Sequence, residues 1–461
     1  MSEAVSTGLL DRAIRRITEV WRDMASSVSG DADETLEAQM QACLAGRGGE
    51  VSARNRAAKL AQTYLTQDEA GRKEFLRTLA GFDSDPDAVA TAYAKVQAAA
   101  DPAERATAKA ALRRALEPPR LKLLTQFTSI PDGRKFLVDL RGSLLKVRGN
   151  DKLLTALDAD LRGLLAAWFD IGFLELQRID WNSPAALLEK LVDYEAVHAI
   201  RSWRDLKNRL DSDRRCYAFF HPRMPGEPLI FVEVALVKGL AGSVQNLLDE
   251  KAPVQDPLQA DTAIFYSISN CQSGLAGISF GNFLIKRVVE ELSSEFRNLK
   301  TFATLSPIPG FRQWLDPVLA KDEPKLLSEE ETASLIAAFT AETGCEALAG
   351  IIRRRHWWRD MAFRRAAEPV LTRLAARYLL IEANGKRAKD PVAHFHLSNG
   401  ARVERLNMAG DTSDKGAKES ATLMVNYLYD PGKIEDWHED YAGEGKRNAS
   451  TAVRKLARGW S

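Results

Sequence analysis

The chain has 461 residues, 45% of them hydrophobic, the composition of a folded protein with packed cores and, at ~100–200 residues per domain, with more than one domain. Lys and Arg number 64 against 63 Asp and Glu, so the net charge of +1 gives no global field to attract nucleic acid or an acidic membrane, and any polyanionic ligand must be met by a local patch. Cys43, Cys216, Cys271 and Cys345 stand far apart without CxxC or Cys/His metal spacing, which argues against a disulfide scaffold, a zinc ribbon or an iron–sulfur site and for a reducing compartment.

No apolar run approaches the ~20 residues a membrane-spanning helix needs. The opening stretch carries Arg12, Arg15 and Arg16, but Glu3, Asp11, Glu19 and Asp23 argue against an acid-poor transit peptide. Arg458, Gly459, Trp460 and Ser461 form neither a peroxisomal address nor a prenylation signal, and a cytoplasmic location is expected.

Up to about residue 175 the chain is rich in Ala, Leu, Arg and Glu and reads as an all-α helical bundle. Leu10, Ile14, Ile17, Trp21 and Met24 fall on one helical stripe, Ser52 reads as an N-cap for a helix through Leu60 and Leu65, and Leu153, Leu157, Leu161, Leu164 and Leu165 mark a last long helix. Asp85-Pro86, Asp101-Pro102 and Pro118-Pro119 punctuate the helices between.

From residue 176 the texture changes to short apolar runs bounded by turn residues. RRCYAFF from Arg214, PLIFVEVALV from Pro228 and TAIFYSIS from Thr262 read as strands, the first two joined as an antiparallel hairpin through HPRMPGEP. A Gly-containing loop leads into a helix marked by Phe280, Leu284, Val288, Leu292 and Phe296, and TFATLS from Thr301 restores a strand. Helices follow to about Leu380, with Arg353 to Asp360 (RRRHWWRD) read as a helix bearing a solvated basic face. HFHLSNGARVERLNM from His394 and ATLMVNYLY from Ala421 read as a final antiparallel pair. The expected fold is therefore α+β, with an all-α domain over 1–175 and a mixed domain over 176–461.

The segment from Ser267 to Leu292 is the most informative local piece. A strand ends, Gly274 and Gly277 allow close backbone approach, and a helix beginning near Ile278 would aim its free N–H groups at the loop, a geometry suited to a pyrophosphate. It fits neither a Walker loop nor a complete GxGxxG, and a tight structural turn is the competing reading. The spacing of Gln272, Gly274, Leu275, Ala276 and Gly277 resembles the coenzyme A loop of the GCN5-related acetyltransferases. Ser306 ends a strand before the rigid Pro307-Ile308-Pro309-Gly310 turn, where a cap or turn role competes with a presented hydroxyl. His394 and His396, on a strand, would share one face; no further ligands suggest a metal site.

Together, WNSPAALLEKLVDYEAVHAI, RSWRDLKNRL, RRCYAFFHPRMPGEPLIFVEVAL, FYSISNCQSGLAGISFGNFLIKRVVEEL, TLSPIPGFRQWL, FHLSNGARVERLN and LMVNYLY resemble the malonyl-CoA decarboxylase family in content and order, from Trp181 to Tyr429. The resemblance implies a helical oligomerisation domain, an acetyltransferase-like catalytic domain, and cofactor-independent conversion of malonyl-CoA to acetyl-CoA and CO2 by a homo-oligomer, a dimer or tetramer. It gives Ser306 the part of proton acceptor and His396 that of proton donor, and links Ser267 and Tyr429 to activity. It maps the coenzyme A loop to Ala276, Gly277, Ile278, Ser279, Phe280, Gly281 and Asn282. Animal members resemble this loop but carry a glutamate where Ser279 stands, so a carboxylate role does not transfer. A coenzyme A-dependent acyltransferase of the same fold is the rival reading, but it has no need of Ser306 and His396 at those motifs. A non-catalytic acyl-CoA sensor is a third.

Overall fold

Aspartate and proline set the helices of the N-terminal half. Asp85 and Asp101 accept backbone N–H groups one turn on, with Pro86 and Pro102 in the first helical turn, where a missing N–H costs nothing. Asp68 and Asp151 cap the helices Glu69–Gly81 and Lys152–Trp168 in the same way. The computed structural model describes residues 21–24, 34–46, 49–278, 283–323 and 325–458, and these fall into two compact units.

The first unit takes in the chain up to Leu174, the connection Phe220–Pro228 and the stretch that begins at Gln272. Its helices include Gly49–Thr66, Pro86–Ala98, Pro102–Leu116, Gly133–Val147 and Lys152–Trp168. Leu137, Leu140, Leu144, Leu154, Leu157, Leu161 and Leu165 are all buried, so the leucine stripe read from the sequence is the core stripe. Ser52 lies inside Gly49–Thr66 rather than capping it, because the helix starts three residues earlier. Of the first stripe, Trp21 and Met24 lie among the described residues; Trp21 is buried, packs edge-on against Phe136 and donates its indole N–H to the Pro131 carbonyl. Leu10, Ile14 and Ile17 lie outside them.

The second unit is built on a mixed sheet. Its strands are β1 (Glu175–Ile179), β2 (Arg214–Phe220), β3 (Pro228–Val237), β4 (Thr262–Asn270), β5 (Thr301–Thr304) and β6 (Ser306–Pro307). A two-stranded pair, β7 (Ala383–Asn384) and β8 (Arg387–Ala388), stands apart, and β9 (Arg402–Asn407) and β10 (Met424–Tyr429) complete the set. The sheet runs β1-β2-β3-β4-β5-β10-β6, with β9 also on β10. β3 is antiparallel to β4, β4 is parallel to β5, and β10 is antiparallel to β5, β6 and β9. Alternation along the chain then sorts the side chains. Ala303 and Leu305 join Ile264, Tyr266 and Met424 in a buried apolar cluster, so Thr304 and Ser306 point to the opposite face.

Three expectations are corrected here. The helix after the loop is described over Phe283–Glu295, Ile278 itself is not helical, and a 3-10 turn at Ser273–Leu275 precedes it; residues 279–282 lie outside the described residues. The basic tract is not one helix: Gly344–Arg353 ends, His356 adopts a left-handed φ of 58°, and a 3-10 turn at Trp357–Arg359 buries both indole rings. His394 and His396 lie on a helix, Pro391–Ser398, and the strand begins only at Arg402. Asp390-Pro391 explains the last case: Oδ1 of Asp390 accepts the N–H groups of Val392 (3.0 Å) and Ala393 (2.9 Å), a capped start that overrides the alternating pattern.

Candidate active site

Ser306 is brought into place by two strands. Val425 of β10 sits opposite it in the antiparallel ladder, and the following Pro307-Ile308-Pro309-Gly310 turn is closed by the Phe311 N–H on the Ile308 carbonyl. Its hydroxyl donates to Thr304 Oγ1 at 2.9 Å, the i, i+2 neighbour on the same face, and Thr304 Oγ1 also accepts the Tyr427 N–H at 3.1 Å. The Ser306 oxygen lies 3.0 Å from His396 Nε2, ninety residues on in the chain, and His396 Nδ1 lies 2.8 Å from the Tyr429 hydroxyl. Three segments separated in sequence thus supply one hydrogen-bonded chain. With the Ser306 proton given to Thr304, Nε2–H donates to Ser306 and Nδ1 accepts from Tyr429.

A helix turns 100° per residue, so His394 and His396 face opposite ways. His394 Nδ1 meets the Tyr441 hydroxyl at 2.8 Å, away from the serine. His396 is buried, and the Tyr427 ring stacks on it with centroids 4.5 Å apart and an interplanar angle of 26°. Burial pushes the His396 imidazole down from 6.5 to about 3 and holds the Tyr429 hydroxyl well above its usual range. The resting chain is therefore uncharged throughout at neutral pH.

Asp390 joins the two halves of this arrangement. While Oδ1 caps the helix that carries His396, Oδ2 accepts the N–H of Gly310 at 3.3 Å, at the end of the turn that follows Ser306, and the carboxyl also bonds the Tyr378 hydroxyl. Gly310 admits this approach because a Cβ there would overlap the Tyr378 oxygen. Asp390 is fully buried, and that burial, working against these donors, raises its carboxyl to about 6.

Ser267 has a different partner. Its hydroxyl donates to both oxygens of the buried Glu195 carboxylate, at 2.9 and 2.7 Å. Ser269 (3.2 Å) and the N–H groups of Val197 (2.9 Å) and His198 (2.7 Å) also bond Glu195. Glu233, opposite Ser267 in the β3–β4 ladder, bonds Arg209 at 3.1 Å, and burial pushes its carboxyl up to about 8.

The loop from Gln272 to Ile278 belongs to the first unit. Arg141, buried on the helix Gly133–Val147, donates Nη1 to the carbonyls of Gly274 (2.6 Å) and Ala276 (2.9 Å). Asp158 holds Arg141 Nε at 2.8 Å and Arg148 Nη1 at 2.6 Å. Gly274 is small because a Cβ would overlap the Val138 carbonyl oxygen, so its close approach is to a helix. Gln272 spends its amide N–H on the Pro228 carbonyl at 2.9 Å. Gly277 differs, with a φ of 75° and nothing within 4 Å of where a Cβ would stand. Ser279, Phe280, Gly281 and Asn282 lie outside the described residues. Among the described residues no His, Cys, Asp and Glu cluster is placed to hold a metal ion.

Sequence reasoning had not picked out Thr304, Asp390, Tyr427, Glu195 or Arg141. Asp390-Pro391 was legible as a capping pair; nothing in sequence pairs Glu195 with Ser267 or Arg141 with the loop.

A family model described as the malonyl-CoA decarboxylase C-terminal domain matches residues 172–460, and one for the N-terminal domain matches residues 82–169. The mitochondrial malonyl-CoA decarboxylase of Anser anser anser is 38% identical over 393 residues, 82% of this chain and 78% of that protein. Its counterpart in Rattus norvegicus is 38% identical over 405 residues, 84% and 82% of the two chains. The crystal structure of malonyl-CoA decarboxylase from Rhodopseudomonas palustris aligns with a TM-score of 0.82 at 43% identity, over 91% of this chain and 98% of that one. The enzyme from Agrobacterium vitis gives 0.82 at 42%, over 91% and 99%. The chain belongs to the malonyl-CoA decarboxylase family, a family of carboxy-lyases.

Proposed function

We propose that the protein converts malonyl-CoA to acetyl-CoA and CO2, with Ser306, His396 and Tyr429 as its proton-handling chain. The carrying observation is the bonded run from Ser306 Oγ through both ring nitrogens of His396 to the Tyr429 hydroxyl, at the motifs the family resemblance singles out. Loss of CO2 leaves an enolate on the thioester, which is itself an electron sink, so the chemistry asks for a donor to the developing oxyanion and a proton for C2. Ser306 can offer the hydrogen bond once its hydroxyl turns from Thr304 to the oxyanion. His396 is neutral at rest and already carries one proton, on Nε2; it gives that proton to C2 as the enolate forms, Nδ1 takes the Tyr429 hydroxyl proton in the same shift, and one proton from solvent restores the phenol, balancing the departure of the carboxylate as CO2.

The order β4, loop, helix Phe283–Glu295 and β5, with β5 parallel to β4, supports the acetyltransferase-like reading, with the coenzyme A loop at Ala276 to Asn282. Ser267 acts in this reading by holding Glu195 in place. Self-association through the helical unit, as a dimer or tetramer, and a cytoplasmic location belong to the same proposal; no described helix is long and apolar enough to cross a membrane. Incubating the purified protein with malonyl-CoA and following acetyl-CoA and CO2 tests the reaction, and absence of turnover would defeat it. Light scattering tests the assembly, which a monomer would refute.

A further inference from the structure

A glycine in the middle of a helix needs a reason, since alanine there is more stable. Gly163, in the helix Lys152–Trp168, has none in the packing: nothing lies within 4 Å of the position its Cβ would take. It opens instead onto a cleft of about 290 Å³ whose walls include Arg162, Phe169, Asp170, Gly277 and Ile278. Gly277 is likewise open where a Cβ would stand, so two glycines without packing demands line the same space.

The charged groups of the helix Lys152–Trp168 are unevenly satisfied. Arg120 is paired with Asp160, and Arg141 and Arg148 share Asp158, whereas Arg162 is exposed and has no hydrogen-bond or carboxylate partner among the described residues. Asp170, the acidic group in the cleft, accepts the Gly172 N–H through Oδ1 at 2.8 Å. One wall is thus a free guanidinium beside open backbone, and the other walls are apolar with a carboxylate able to accept from an amino or hydroxyl group. That mixture suits a nucleotide: phosphate on the cation, base and sugar against the remainder. The loop side is held rigid by the Arg141 bonds to Gly274 and Ala276, so the cleft is preorganised.

We propose that the first unit, which holds both this cleft and Gly277, binds the coenzyme A moiety, with Arg162 taking one of its phosphates and Gly163 leaving room for it. This rests on the coenzyme A loop reading above and adds to it a binding residue on a helix that the family resemblance connects with assembly. Arg162 contributes to binding only, so its loss raises KM for malonyl-CoA and leaves kcat near wild type.

Calorimetry of the full-length protein with coenzyme A and with 3′-dephospho-coenzyme A tests the idea on the wild type, Arg162→Gln, Gly163→Ala and Gly277→Ala. Arg162→Gln should weaken coenzyme A binding by about tenfold, the scale of one lost charge-assisted contact. A loss seen with coenzyme A alone assigns the 3′-phosphate to Arg162; an equal loss with both ligands assigns the diphosphate. Gly163→Ala should raise the melting temperature and still weaken coenzyme A binding several-fold, a combination that a glycine kept for structural reasons would not give. Wild-type affinity in both Arg162→Gln and Gly163→Ala overturns the proposal. If Gly277→Ala binds weakly in that case, the loop reading survives without it; if Gly277→Ala also binds normally, the loop reading falls too.

Discussion

Ser306 and Ser267 are both buried serines on strands of one sheet, yet they bond different partners. Ser306 lies against a neutral imidazole whose second nitrogen meets a neutral phenol, so a proton can shift along the chain without separating charge at rest. Ser267 donates to a carboxylate that also gathers two backbone N–H groups and a second hydroxyl. Its proton goes to that carboxyl and not to an imidazole. Burial and strand position are therefore alike at the two serines, and the bonded partner is what separates them.

Removing Ser306 or His396 from the proposed proton chain should have the largest effect. Ser306→Ala and His396→Asn are each expected to lower kcat by ~10² to 10⁴-fold with little change in KM, and the double variant should be scarcely worse than either, as for groups acting as a unit. Steady-state kinetics on the three variants decides this, and additive losses would break the contrast with Ser267. Next comes the brace: Asp390→Ala should lower kcat by ~10 to 100-fold, because it loosens both the Ser306 turn and the His396 helix, and it should also lower the melting temperature, the loss of an N-cap alone costing about 1 kcal/mol. Ser267→Ala should cost less activity, within about tenfold, while lowering stability by about 1 to 3 kcal/mol, since Glu195 loses a donor in a dry site. A kcat loss matching that of Ser306→Ala, with unchanged stability, would place Ser267 among the reacting groups.

The pH dependence of stability sharpens the electrostatic half of the comparison. His396 titrates at about 3 in the fold and near its ordinary 6.5 when unfolded, so between those values the unfolded chain binds more protons. Wild type should lose stability relative to His396→Gln as the pH falls below 6.5, with a slope approaching about 1.4 kcal/mol per unit. Parallel denaturation profiles at pH 7 and pH 5 would disprove the neutral imidazole. The smallest effect belongs to His394→Asn, which should keep near wild-type kcat because its side chain bonds Tyr441 on the opposite helix face.

The strands and the leucine core were legible because periodicity reports directly on burial: RRCYAFF, PLIFVEVALV and TAIFYSIS are β2, β3 and β4. The residues Ser306, His396 and Tyr429 were legible through motif resemblance, and the structure brings them together. The helix under His396 was misread because HFH alternates like a strand, while the information that decides it sits upstream in Asp390-Pro391. Ser267 was named from the resemblance alone, and its partner Glu195, seventy-two positions away, was not legible. Gly274 and Gly277 look alike in sequence but are small for different reasons, one pressed on the Val138 carbonyl and one open with a left-handed backbone. Tertiary neighbours settle such cases, and a local pattern does not contain them.

The Arg141 clasp on Gly274 and Ala276 has a consequence for modularity. Family boundaries divide the chain near residue 170, but the carbonyls of a loop on the far side of that boundary are anchored by a guanidinium on the near side. A chain severed at 175 would keep Ser306, His396 and Tyr429 and lose the side chain that anchors the Gly274 and Ala276 carbonyls. Grafting the C-terminal half onto a foreign partner, or exchanging helical halves between relatives, must therefore carry Arg141, Asp158 and Arg148 along as one inherited part.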